Sequence, residues 1–509
     1  MAIYIFSLLV GYVPNGVDNA QGYRARMLKK YTNSVKYIFT ELPTRRYVNR
    51  YRKAGIDVEQ MLSIHQYFTD NHSLSLSVRV EDKLAELKES LQYTDTSREG
   101  TEIRLFRKGS VIASLLTDEM EPGCCHSIQY YNGGRLIRAE HYTTGIAYVD
   151  YYVTAESDTG PYAKLVRRSF YDSDGEVSFD QVFAMEKELY LFPDGRACTK
   201  SEFIAEFIKR LNLGEGDTVL LDRSAQFDFV QPLFAYGNRA RFIAVFHSGH
   251  FFEKGEDIHT LYLNYEYYYW FKYSGMIETM VVSTEGQKRE LLEKLQEYGC
   301  SIPKIVVIPA GGIDRLRYPD TGRKPYSLIS VSRMDPRKKI EWIIKSVIKA
   351  YKRNANISLD LYGRGEYEYT KYLQDLVEKN NAQTYIRFKG RADVTEIYKN
   401  YEVYVSASLW ETLGLSIMEA IGSGMSLIGL NVKYGNQVFI QPEENGYLVD
   451  YDPKHSQEKE DELIECMADS IVEIFKDSER LERFHQFSYE TGREFFWSVI
   501  EEKWKKLLL

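Results

Sequence analysis

The chain has 509 residues, 44% of them hydrophobic, enough for two or three domains that each bury a core. Its 65 Lys and Arg against 73 Asp and Glu give a net charge of −8, which argues against a uniformly basic nucleic-acid or anionic-membrane binder but leaves room for a local basic patch. The five cysteines, Cys124, Cys125, Cys198, Cys300 and Cys466, form no CxxC and imply neither a disulfide frame nor a zinc knuckle, and no run approaches the ~18 apolar residues of a membrane span.

Residues 1–10 are apolar but short, with no basic region before them and no small-residue cleavage site. They predict a buried first strand rather than a signal peptide, in a protein of cytosolic type. Strand 3–10, loop 11–16, helix 17–31 and strand 35–40 open an α/β domain. From about residue 76 to 192 the pattern changes to short alternating segments at 75–80, 102–107, 111–116, 127–131, 135–141, 148–153, 164–171 and 181–184. Asn132-Gly133-Gly134 and Ser173-Asp174-Gly175 are hairpin turn chemistry. These segments predict an antiparallel meander inserted into the first α/β domain, with a Tyr-rich face suited to a large partner. Helix 201–211 and strands 218–221, 242–247, 280–283 and 304–309 resume that domain. Residues 262–273 read as a helix whose rings pack in its core.

From about residue 326, strands at 327–332, 357–362, 385–388, 403–407 and 426–430 alternate with amphipathic stretches. In 339–352, Ile340, Ile343, Ile344, Val347 and Ile348 share one helical face. The pattern predicts a parallel sheet covered on both faces. Two long final helices, 459–476 and 479–509, follow, the last crossing back to the first domain. The fold class is α/β, with two Rossmann-like doubly wound domains and an inserted antiparallel β-meander. The boundaries are 1–41 and 199–322 for the first domain, 42–198 for the insert, 323–485 for the second domain and 486–509 for the crossing helix. Ligands bind such domains outside the carboxyl ends of the strands.

Glu411-Thr-Leu-Gly-Leu-Ser-Ile-Met-Glu419 follows strand 403–407 and opens a helix near Gly414. Glycine there lets backbone N–H groups approach an anion at a helix N-terminus, where the macrodipole favours negative charge. Ser332-Arg333-Met-Asp-Pro-Arg-Lys338 lies after strand 327–332 on the same rim, and its cations suit a diphosphate leaving group without metal. In the first domain, the loop Gly11-Tyr-Val-Pro-Asn-Gly16 and then Val17, Asp18 and Asn19 open a helix, and His247 ends a strand. Asp172-Ser-Asp174 and Asp450-Tyr-Asp452 match a DxD metal pattern, but the first is hairpin chemistry and the second lies away from these loops, so no metal is expected. Gly363-Arg-Gly365 is half a dinucleotide fingerprint, without its third glycine.

The Glu-x7-Glu pattern, the Arg/Lys pair, the glycine-containing first loop and the strand-end His resemble the retaining family-4 glycosyltransferases of GT-B fold. Gly16-Val17 and Ala20-Gln21, the inserted meander, Pro309-Ala-Gly-Gly-Ile-Asp314, Gly322-Arg-Lys-Pro325 and Tyr434-Gly-Asn-Gln437 resemble more closely the family of GtfA subunits of accessory-Sec-system protein O-glycosyltransferases, over nearly the whole chain. The resemblance implies that the first sugar is added from a UDP-sugar to Ser/Thr of a serine-rich repeat adhesin. It also implies a homologous GtfB-type partner, a cytoplasmic place with possible peripheral membrane association, and no cofactor beyond the donor substrate. It gives Glu411 the donor sugar's hydroxyls, Thr412, Leu413 and Gly414 the surrounding loop, Leu415 a backbone N–H toward the diphosphate, and Glu419 the ribose. Arg333 and Lys338 would neutralise the diphosphate and Arg391 and Ala392 lie against uracil, while Gly16, Val17, Asp18 and Asn19 approach UDP and His247 the sugar. Where this family commonly has Glu-Gly-Phe-Gly the chain has Glu411-Thr-Leu-Gly414 after Trp410, so the donor is UDP-GlcNAc or UDP-glucose. A glycosyltransferase acting on teichoic acid or another glycan, and a non-catalytic acceptor-holding subunit, are the alternatives; the intact set of Glu411, Glu419, Arg333 and Lys338 argues for catalysis.

Overall fold

Short, mostly apolar runs of three to five residues form the parallel strands of this chain, the central ones covered on both faces. The computed structural model describes residues 2–7, 16–158, 160–184, 187–222, 227–237, 239–251, 263–452 and 459–509. The predicted loop at 11–15 and the end of the first predicted strand, 8–10, lie outside them. Contacts divide the chain into two units, Met1–Val245 with Tyr265–Thr279, and Phe246–Asn264 with Met280–Leu509.

In the first unit β1 (Ile3–Ser7), α1 (Gly16–Tyr31), β2 (Val35–Phe39), α2 (Arg45–Lys53) and β3 (Met61–Ser63) are followed by α3 (Ile64–Tyr67) and α4 (Val80–Leu91). A continuous antiparallel meander comes next: β4 (Asp95–Glu99), β5 (Glu102–Arg107), β6 (Ser110–Thr117), β7 (Cys125–Asn132), β8 (Arg135–Tyr142), β9 (Ile146–Ser157), β10 (Gly160–Tyr171), β11 (Val177–Ala184), β12 (Lys187–Leu191) and β13 (Ala197–Thr199). Then α5 (Lys200–Leu211), β14 (Thr218–Leu221), α6 (Phe227–Tyr236), β15 (Arg241–Val245) and α7 (Tyr268–Lys272) complete the unit. Strands β15, β14, β1, β2 and β3 lie side by side in that order, all parallel.

Helix α4 corrects the reading of 75–80 as a strand. Ser77 bonds its backbone to Thr143 but residues 75–78 join no sheet, and Val80, Leu84, Leu87 and Leu91 carry a helical spacing that packs on β5, β6 and β7. The tyrosine-rich segment is also shorter than a helix over 262–273: a 3-10 turn at Tyr265–Tyr267 runs into α7. Tyr267, Tyr269 and Trp270 are buried as expected, whereas Tyr265 and Tyr268 are exposed.

The meander is fastened to its unit by stacked aromatic side chains. Phe203 of α5 stacks on Tyr190 with ring centroids 4.1 Å apart, Phe170 stacks on Phe179 at 4.5 Å, and His65 stacks on Phe170 at 5.5 Å. Burial, with the charges of Arg168 and Lys200, lowers the His65 pKa to about 3, and burial lowers His126 and His485 to about 4. On unfolding these rings regain a pKa near 6.5, so the unfolded chain binds more protons in mild acid and stability falls as pH falls below that value. At pH 5 a fully buried neutral histidine costs about 2 kcal/mol by this route. Thermal denaturation is expected to give a lower Tm at pH 5 than at pH 7; an equal or higher Tm at pH 5 would contradict the assignment.

The second unit contains β16 (Thr279–Val282, its first residue in the other unit), α8 (Glu285–Glu297) and β17 (Lys304–Val307), then β18 (Ser327–Val331), α9 (Ile340–Arg353), β19 (Ser358–Tyr362), α10 (Tyr367–Lys379), β20 (Ile386–Gly390), β21 (Val403–Ser406), α11 (Leu415–Gly422), β22 (Ser426–Leu430), α12 (Gly435–Phe439), β23 (Gly446–Val449), α13 (Glu460–Ile474), α14 (Ser478–Arg493) and α15 (Trp497–Leu508). A parallel six-stranded sheet runs β20-β19-β18-β21-β22-β23. Successive side chains of each strand enter opposite cores. Leu328, Val403, Val405 and Ile428 join α9 and α13 on one face, and Ile329, Tyr404 and Leu427 join α11 and α12 on the other. The single final helix predicted over 479–509 is two helices. Ile313 N donates to Phe495 O at 2.7 Å and Trp497 N to Ile313 O at 2.9 Å, so Phe495–Trp497 pairs with a strand-like segment and interrupts the helix. Among the described residues no helix is long and apolar enough to cross a membrane.

Candidate active site

The loops that leave the carboxyl ends of β18 and β21 emerge side by side because those strands are neighbours. After β18, Asp335 accepts the Arg337 backbone N–H at 2.9 Å and caps a 3-10 turn, Pro336–Lys338. The Arg337 guanidinium beside Asp335 also holds its carboxyl well below the usual range. The turn puts Lys338 over the end of β21, where Leu409 N donates to Arg337 O at 3.1 Å and joins the two loops. Lys338 Nζ then donates to Glu411 Oε1 at 2.6 Å and to Ser408 Oγ at 3.2 Å. Both charged side chains are mostly covered, 22% and 16% exposed, so their attraction is screened less than a surface pair's.

Beyond Glu411 come Thr412, Leu413 and Gly414. Gly414 is left-handed, φ +83°, a conformation that glycine adopts without strain, and it starts α11 at Leu415. The first amides of α11 point out of its N-terminus without intrahelical partners, an anion-receptive end. Tyr404 and Ser416 share a 2.8 Å hydroxyl bond beneath that turn. One turn into the helix, Glu419 accepts the hydroxyl of buried Tyr398 at 3.2 Å. The side chain is open to solvent on one side. Desolvation by the surrounding protein raises its carboxyl above the ordinary range, against the Tyr398 bond and the Arg317 charge.

Arg333 is exposed and, among the described residues, in no ion pair. Its loop is set by the glycines after β19: a Cβ on Gly363 would lie 1.8 Å from Ser332 O, and one on Gly365 1.8 Å from Met334 O. The half-fingerprint Gly363-Arg-Gly365 is therefore a packing device beneath the cationic loop. Gly363 N donates in turn to Gly390 O at 2.8 Å, next to exposed Arg391 and Ala392. Along this edge the residues run from Arg391 and Ala392 through Arg333 and Lys338 to Glu411. Half-buried His247 belongs to the same unit, on a loop whose Gly249 lies under the Trp410 indole; a Cβ there would be 2.0 Å from Cζ2.

Gly16, Val17, Asp18 and Asn19 make the first turn of α1 in the other unit, where Val17 and Asp18 are half-buried. Further along that helix Gln21 Nε2 donates to Asp222 Oδ2 at 3.1 Å, and Arg24 pairs with the same carboxylate. Asp172 of the first DxD accepts the backbone N–H of Asp174 and Glu176, the work of a turn residue. Sequence reasoning missed Ser408, Tyr398, Gln287 and Glu290, and noted Tyr434 only within the motif Tyr434-Gly-Asn-Gln437. Their links to the site span the chain, as from Ser408 to Lys338, Tyr398 to Glu419, Gln287 to Ser248 and Glu290 to Tyr434.

A parallel sheet presents a cation–carboxylate pair and a glycine-started helix at one edge, and the glycosyl transferases group 1 family matches residues 319–490, so the class is glycosyltransferase. The GtfA extended beta-sheet domain family matches residues 95–194, the meander. The chain belongs to the family of GtfA subunits of UDP-N-acetylglucosamine–peptide N-acetylglucosaminyltransferase. It is 34% identical over 512 residues to the Streptococcus gordonii subunit, covering 100% of this chain and 98% of that protein. It is similar to the crystal structure of the pneumococcal O-GlcNAc transferase GtfA in complex with UDP and GlcNAc (TM-score 0.86, 34% identity, 100% and 98% of the two chains). It is likewise similar to a chain of the GtfA/B complex (TM-score 0.88, 32% identity, 100% and 99%).

Proposed function

We propose that the chain transfers N-acetylglucosamine from UDP-N-acetylglucosamine, with retention at the anomeric carbon, to Ser/Thr hydroxyls of a serine-rich acceptor protein, as the catalytic member of a pair with a homologous GtfB-type subunit. The observation that carries this reading is the Lys338–Glu411 pair at 2.6 Å beside the Gly414 helix start. Relatives solved with UDP and GlcNAc, and in a GtfA/B complex, support the donor and the partner. The resemblance to accessory-Sec enzymes supports a serine-rich repeat adhesin as acceptor, modified in the cytoplasm or at the cytoplasmic face of the membrane.

In this reading the anomeric C–O bond to the diphosphate breaks, leaving positive charge on the sugar and negative charge on UDP. Lys338, Arg333 and the α11 amides near Leu415 stabilise the second without metal. Glu411 holds the sugar's hydroxyls, with Thr412 and Leu413 beside it and His247 on the facing loop. Glu419 holds the ribose, and Arg391 and Ala392 the uracil. The acceptor hydroxyl attacks from the face UDP leaves and gives its proton to the departing phosphate, so charge and atoms balance. Incubating the chain and its co-expressed partner with a serine-rich peptide and UDP-GlcNAc or UDP-glucose tests the reading by intact mass. A gain of one N-acetylhexosamine is expected. A hexose gain would reassign the donor, and UDP release without peptide gain would move the acceptor to a glycan.

A further inference from the structure

Two loops of the second unit flank Glu411, and helix α8 is bonded to both. Gln287, fully buried in its first turn, donates from Nε2 to Ser248 O at 3.0 Å and accepts Ser283 N on Oε1 at 2.9 Å. Asn264 Nδ2 adds bonds to Ser248 Oγ at 3.2 Å and Gly249 O at 3.0 Å. This fixes the His247–Gly249 loop. Three residues along α8, and so on the same helical face, Glu290 is 12% exposed and accepts Lys433 Nζ at 2.7 Å and the Tyr434 hydroxyl. Tyr434 N and Gly435 N donate to the Glu411 carbonyl at 2.7 and 2.8 Å. The Tyr434 ring meets the Trp410 indole edge-on, centroids 6.2 Å apart, and that indole rests on Gly249.

We propose that α8 is a clamp that sets the spacing between the His247 loop and Glu411, with Glu290 a positioning residue that holds Glu411 and Trp410 through Lys433 and Tyr434. The inference rests on the reading that Glu411 holds the donor sugar. These bonds run to Glu411 and the His247 loop, so the clamp acts first on the sugar half of the donor and reaches Lys338 only through its 2.6 Å pair with Glu411. A group held by such a clamp loses rate steeply when displaced, by about 100-fold for an ångström.

The test uses the full chain with its partner subunit. Glu290→Ala is expected to lower kcat for transfer from UDP-GlcNAc by about 30- to 100-fold, while UDP affinity by calorimetry stays within about twofold. Glu290→Gln, which keeps an acceptor for the Tyr434 hydroxyl, recovers most of the loss, and Tyr434→Phe, which removes only that hydroxyl, shows the same split even if Glu290→Ala folds poorly. A kcat within about threefold of the parent in both Glu290→Ala and Tyr434→Phe overturns the clamp, as does a parallel loss of kcat and UDP affinity, which marks general disorder of the domain. Glu411→Ala separates the two levels. If it leaves transfer intact, the donor-sugar reading falls and the clamp with it; if it abolishes transfer while the Glu290 and Tyr434 variants do not, the clamp alone falls.

Discussion

Lys338→Ala is expected to lower kcat/KM for UDP-sugar turnover by about a thousand-fold while the chain stays folded. Removing one preorganised group from the place where charge develops costs about 10²- to 10³-fold. Here the same ammonium also faces Glu411 Oε1 at 2.6 Å, so its loss leaves a carboxylate 16% exposed without its cation. An uncompensated, mostly covered charge is costly and moves to find water or another partner. The two effects predict strong coupling. Glu411→Ala and Lys338→Ala are each severe, and the double variant is little worse than either, because each single change disables the same pair. Steady-state turnover of the three variants, with circular dichroism as a check on folding, measures this. Additive losses would mean that the ammonium and carboxylate act independently and that their pairing carries no part of turnover.

Much of the second domain was legible because its strands are buried on both faces. Leu328 and Ile329 enter opposite cores, and such strands read as short apolar runs between amphipathic helices such as α9. The chemistry at the strand ends was legible by residue type: a carboxylate and a cation, each just beyond a strand, with a glycine before a helix. Their pairing was not, since Lys338 and Glu411 are 73 residues apart and meet only because β18 lies beside β21. The segment 75–80 misled because alternating Ser and Leu mimic a half-buried strand, while the helical spacing of Val80, Leu84, Leu87 and Leu91 began where that pattern stopped. The break before α15 has no glycine or proline at 494–496 to mark it. It is imposed by pairing with Ile313, a tertiary event.

Gly363 was readable only as part of an incomplete nucleotide fingerprint, and its replacement is the second large effect expected. At φ +144° an alanine is strained before any contact is considered. Its Cβ would also lie 1.8 Å from Ser332 O and 3.0 Å from Ser332 C, backbone atoms that no rotamer change removes. Relief by moving Gly363 breaks its bond to Gly390 O, and relief by moving Ser332 breaks Ser332 N to Tyr362 O at 3.1 Å. The second route carries Arg333 and Lys338 away from Glu411. Gly363→Ala is therefore expected to cost about 3 kcal/mol or more of stability and, in the fraction that folds, about 100-fold in turnover. Gly322→Ala supplies the control, since its φ of +92° is also left-handed but nothing lies within 4 Å of its Cβ. It should cost about 1 kcal/mol and leave turnover per folded molecule unchanged. If Gly363→Ala behaves like Gly322→Ala, the loop carrying the cations is not seated on the glycine, and the edge of β19 has slack that these contacts deny.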